Sequence, residues 1–177
     1  MISSLKPFPD KNSFQPASRV VELANVSSDS YSVSVAGEQL SIPDRIYVEE
    51  SLLRHVAGHH AQPWIDALLT RHHDGFVREK ALKALMASGP SWAPAYVVKL
   101  VGEYVIEIID QIDTALDERD GPIYGAFLRE NPRFFELTGQ RVASYWDCYW
   151  RGRYSRDEYV GFRVMKRLEA MADANPP

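Results

Sequence analysis

The chain has 177 residues, enough for one well-filled core and short for two comfortable domains. Its hydrophobic content of 45% and aromatic content of 11% argue against disorder, and a net charge of -4 gives no global attraction for nucleic acid or an anionic membrane. The single cysteine, Cys148, excludes an internal disulfide and a multi-cysteine zinc site and fits a reducing, cytoplasmic setting. No apolar run approaches a membrane span, and residues 1–15 lack the charged-then-apolar order of a secretory signal.

Residues 1–18, with Pro7, Pro9 and Pro16 among polar residues, read as an extended arm, and residues 19–177 as a single mostly helical domain. Tyr31, Val33 and Val35 alternate with serines, Ala36-Gly37-Glu38 supplies a turn, and Leu40 and Ile42 alternate again before Pro43. That pattern predicts a β-hairpin over about 31–42, with 19–26 as a candidate third strand. A lone hairpin is marginal and needs helices to lie against.

Helical signals follow from about residue 46. A first segment spans about Ser51 to His60, and Pro63 opens a second through Trp64, Ile65, Leu68 and Leu69. Asp74 is placed as the N-cap of a helix that stops at Gly89-Pro90. Ser91 opens what reads as the longest and most buried helix, to about Leu116, with Val97, Val98, Val101, Tyr104, Val105, Ile108, Ile109, Ile112 and Leu116 on one arc. Gly102 inside it points to close approach by another helix. After Asp120-Gly121-Pro122 a short helix covers Ile123 to Arg129. Asn131-Pro132 starts a helix to about Arg151, and Ser155 with Glu158 forms a capping box for a last helix to about Ala172. The fold class is therefore mainly α: an irregular helical bundle or stacked helical hairpins, with a small N-terminal β-hairpin.

The run Tyr145, Trp146, Tyr149, Trp150 is the strongest single signal. Its spacing gathers four rings on one helical face, an anchor for either the core or a contact surface.

Asp74, Val77, Arg78, Ala81, Ala84 and Leu85 resemble the second helix of a HEAT-type repeat, with residues 62–88 as the helix pair. In that family an aspartate marks the turn, a Val-Arg pair opens the second helix, and small and leucine positions pack on the partner. The resemblance implies a helical-hairpin stack that binds other proteins and carries no catalytic residues. Periodicity agrees in placing Val77, Ala81, Ala84 and Leu85 toward one face. No second copy is visible at a repeat period.

All five histidines lie between His55 and His73. His55, His59, His72, His73 and Asp74 form the candidate metal set of a hydrolase, with His55 and His59 one turn apart. There is no H-E-x-x-H, and solvated or capping histidine is the plainer assignment. His73-Asp74 is also similar to the His-Asp pair of the helical HD phosphohydrolases, where such residues hold a metal that activates water, with Asp110 or Asp113 as the distant carboxylate. In that family the pair follows an apolar stretch within a helix, whereas Thr70-Arg71-His72 precedes it here and Gly75 follows.

Glu103, Glu107, Asp110, Asp113 and Asp117 make an acidic row for which Arg129, Arg133, Arg141 and Arg151 are the expected intramolecular partners. The last helix separates an inward set, Val160, Gly161, Phe162, Val164, Met165 and Leu168, from Arg156, Tyr159, Arg163, Lys166 and Arg167. The second set is the candidate partner-binding face. Nucleic acid is its alternative ligand, against which the interleaved Asp147, Asp157 and Glu158 argue. Cys148 reads as a buried or half-buried structural thiol, and no glycine pattern makes a phosphate loop.

No cofactor is implied, and no motif supplies a catalytic set. The sequence thus favours a helical protein that acts on a protein partner, in an adaptor, scaffold or bacterial immunity-type role, with self-association left open.

Overall fold

The computed structural model describes residues 6–9, 25–57 and 63–174. The protein is mainly α-helical with a small N-terminal hairpin. It divides into two compact units, residues 1–93 and 94–177.

In the first unit, β2 (Ser30–Val35) and β3 (Glu38–Pro43) pair antiparallel, with Val33 opposite Leu40 and Tyr31 opposite Ile42. Ala36 and Gly37 take φ of 51° and 80°, the left-handed pair that a two-residue hairpin turn requires. Val33, Val35, Leu40 and Ile42 are buried, as the alternation dictates. Asn25–Val26 (β1) does not extend this hairpin but pairs with Ile46–Tyr47 (β4); residues 19–24 lie outside the described set. The described part of the arm is anchored. Ser41 N donates to Lys6 O at 2.9 Å, and Phe8 is fully buried with its ring edge on Trp92, 4.9 Å between centroids.

Helices α1 (Glu50–Ala57), α2 (Pro63–Leu69) and α3 (Gly75–Ser88) complete this unit. His59 and His60 lie outside the described residues. Asp74 caps α3, accepting from Phe76 N at 2.8 Å, and Gly89 ends it with φ 55°. Both ends are therefore set by local chemistry. The buried line of α3 is Arg78, Ala81, Leu82 and Leu85. Ala84 is exposed and Val77 half-buried, so the face expected from Val77, Ala81, Ala84 and Leu85 is rotated toward Leu82. Arg78 is the reason: fully inside, its Nη1 donates to the carbonyls of His72 and His73, both at 2.9 Å, and fastens the α2–α3 turn.

The second unit opens with α4 (Pro94–Val101), buried at every position. The long helix expected from Ser91 to Leu116 is broken. Residues 102–105 leave helical geometry, and α5 (Ile106–Ala115) resumes after Val105 at ψ 102°. A helix buried all round and a helix with one buried apolar stripe, Ile108, Ile109 and Ile112, are not both served by one straight rod. Tyr104, expected inside, is 51% exposed at the break.

A short 3₁₀ turn (Glu118–Asp120) leads to α6 (Gly121–Glu130), α7 (Pro132–Tyr145), a π-helical segment (Trp146–Trp150) and α8 (Val160–Ala174). α6 and α8 pack so closely that a Cβ added to Gly125 would stand 2.3 Å from Met171 O. Gly102 does meet another helix: a Cβ there would lie 3.4 Å from Thr138 and Arg141 of α7. The capping box forms in half. Glu158 accepts from Ser155 N at 2.9 Å and from Ser155 Oγ at 2.7 Å, but α8 starts only at Val160. No helix among the described residues is long and apolar enough to cross a membrane.

Candidate functional site

Within the acidic row, Asp113 is answered from α8 and Asp117 by Arg119. Arg163 Nε and Arg167 Nη1 each donate to Asp113 at 2.8 Å. Arg167 also donates to the Asp113 carbonyl and, through Nη2, to Leu116 O at 2.6 Å, so it caps the C-terminus of α5. Partial burial works against the Asp113 carboxylate, yet donation by Arg167 and Arg163 holds it below the usual range. Arg129 instead donates to Ala172 O at 2.8 Å, and Arg151 pairs with Asp147 at 2.9 Å.

The expected partner-binding set comes apart under the same geometry. Arg163 and Arg167 serve the Asp113 clamp, while Arg156 and Lys166 remain exposed. Tyr159 does not face outward: it is fully buried, its hydroxyl makes no hydrogen bond, and burial with the nearby Asp110 charge pushes it up to about 12. Two residues further on, Gly161 leaves no room for a Cβ, which would stand 2.6 Å from the Tyr159 ring and 2.9 Å from Val142.

Of the candidate metal residues, His72, His73 and Asp74 are engaged in other ways, and His59 lies outside the described residues. His72 uses both ring nitrogens: Nε2 lies 2.6 Å from Val48 O, and Nδ1 accepts from Asp74 N at 3.0 Å. The proton therefore sits on Nε2, and His72 is a latch between β4 and the α3 cap. The exposed His73 ring stacks on Tyr47 at 5.4 Å and against His72 at 4.3 Å. His55 is exposed and Asp74 caps α3. Among the described residues, no group of three or more His, Cys, Asp or Glu side chains is arranged to hold a metal ion.

The aromatic run divides into two faces. Trp146, half-buried, turns toward α8: its ring meets Phe162 edge-on at 5.7 Å, and Nε1 donates to Tyr154 O at 3.0 Å. Tyr145 and Tyr149 turn the other way and meet Tyr104 at 6.0 and 6.1 Å, with 6.1 Å between themselves. Trp150 Nε1 reaches Tyr104 O at 3.4 Å and its ring lies 6.0 Å from Tyr154, which Arg153 covers at 5.5 Å. Tyr149 is 65% exposed and none of the four rings of the run is fully buried. Two irregularities build this face. The α4–α5 break brings Tyr104 outward, and the π segment widens the helix so that Arg151 N bonds Trp146 O at 2.8 Å. Cys148, expected inside, is exposed on this same segment.

The sequence pointed to Tyr145, Trp146, Tyr149 and Trp150 but not to Tyr104 or Tyr154 as their neighbours. The apolar pattern on both sides of Tyr104 hides the break that exposes it. No family model, curated protein or solved structure matches the chain.

Proposed function

We propose that the protein is a non-enzymatic interaction module, of adaptor, scaffold or immunity type, that engages a protein partner through the ring face of Tyr104, Tyr145, Tyr149 and Trp150. The observation that carries this reading is a cluster of large rings left on the surface yet fixed in place by mutual contacts and by the Trp150 N–H bond. Fixed Tyr and Trp side chains provide contact area at little ordering cost, which is why such residues dominate binding hot spots. The π-helical segment adds support, because this geometry recurs at functional positions. The α2–α3 pair with its Asp74 turn is consistent with the HEAT-like, partner-binding character that the sequence implies.

The test is affinity capture from host extract with the wild-type protein and with Tyr149→Ala, whose melting is checked in parallel. The reading expects a captured protein that is lost with Tyr149→Ala at unchanged melting. Capture that ignores this substitution, or a specific turnover activity unaffected by it, would overturn the reading.

A further inference from the structure

The ring face has two exposed arginines beside it, Arg141 and Arg153, that pair with no carboxylate among the described residues. Residues 141–158 contain Arg141, Arg151, Arg153 and Arg156 against three carboxylates, Asp147, which Arg151 takes at 2.9 Å, and Asp157 and Glu158, which directly follow Arg156. Arg141 lies one turn before Tyr145 on α7, Arg153 lies over the Tyr154 ring, and Arg156 lies 4.7 Å over Phe162, the ring that meets Trp146. All three are exposed, and among the described residues none pairs with a carboxylate. The neighbouring Glu158 is held by Ser155. Elsewhere in this unit arginines do find anions: Arg163 and Arg167 meet Asp113, and Arg119 meets Asp117. Arg133 and Lys166 are exposed as well, and Arg156 lies on the Trp146 side, so it is Arg141 and Arg153 that stand beside the exposed tyrosine face.

We propose that this face binds an acidic, extended segment of a protein partner, with apolar or proline side chains lying on Tyr104, Tyr145 and Tyr149 and carboxylates meeting Arg141 and Arg153. The proposal rests on the interaction reading above and names its partner's chemistry. Two arguments select this occupant. Arginine forks suit carboxylates, and tyrosine-lined surfaces suit extended, proline-containing chains. For a nucleic-acid strand, the three tyrosine rings close on one another at tilted and edge-on angles instead of standing as open parallel platforms, and Asp147 sits among them.

The experiment is calorimetric titration of the full chain with short synthetic Glu-Pro, Gln-Pro and Lys-Pro repeat peptides and with oligothymidylate, at low and raised salt. The Glu-Pro repeat is expected to bind best and to weaken with salt. Tyr149→Ala, and separately the double Arg141→Gln with Arg153→Gln, should each weaken it about tenfold, while Lys166→Gln leaves it unchanged. Failure of the Glu-Pro repeat to bind, equal binding of the Lys-Pro repeat, indifference to both variants, tighter binding of oligothymidylate, or a dimer abolished by Tyr149→Ala would each overturn the proposal. Tyr149-dependent capture of a host protein without Glu-Pro binding would sink the acidic assignment alone. Tyr149-independent capture would sink the interaction reading beneath it.

Discussion

Two regions of the 94–177 unit use their side chains in opposite ways. Where α6 crosses α8 the helices touch through glycine, with Gly125 against the Met171 carbonyl, and Arg129 reaches over to Ala172 O. Around Tyr104, Tyr145 and Tyr149 the largest side chains available stay partly in water, although rings of this size would stabilise a core if buried. The crossing and the Asp113 clamp thus pack and pair their groups, whereas the ring face leaves contact area at the surface, as the proposed recognition role requires.

The sharpest way to break that contrast is Gly125→Ala. A methyl group there collides with backbone, so the crossing must open, and unfolding in denaturant should show a loss of about 3 kcal/mol or more. A variant as stable as the wild type would show that the helices do not cross as described.

The next test is the clamp. Arg167→Ala removes two α5 carbonyl partners and half of the Asp113 pairing, and because the side chain is partly exposed the expected loss is about 1 to 2 kcal/mol. The pH dependence follows from the same pairing. Asp113 is held below its ordinary value in the folded state, so its contribution is present above the unfolded pKa and disappears as pH falls through the folded one. Asp113→Asn should be less stable at neutral pH and lose less on acidification than the wild type. Parallel acid limbs in the two proteins would refute the assignment.

Tyr159→Phe carries a smaller effect of the opposite sign. Its buried hydroxyl has no partner, so removing it should leave stability unchanged or raise it by up to about 1 kcal/mol in thermal melting. A clear loss would mean that the hydroxyl is bonded in solution.

What was legible in the chain follows a physical line. The Asp74 cap, the Gly89 stop and the hairpin turn at Ala36-Gly37 are local chemistry, and each stands where its residues place it. Gly102, expected inside a helix, lies instead at the break after α4, where a Cβ would meet Thr138 and Arg141 at ordinary contact distance. The break at 102–105 left no local mark, since good apolar spacing continues on both sides of it. The π segment likewise looks like ordinary helix in spacing, so the four rings of 145–150 were seen as one face when the structure splits them in two. Charge pairing was legible in kind only: Asp113 finds arginine, but from α8, a choice made by tertiary packing and not by proximity in the chain.

The most direct measurement is equilibrium unfolding of Tyr149→Ala beside the wild type. If the ring face is surface reserved for a partner, the two free energies should agree within about 0.5 kcal/mol. A loss of about 2 kcal/mol or more would place Tyr149 among the residues that hold the fold together and contradict the account.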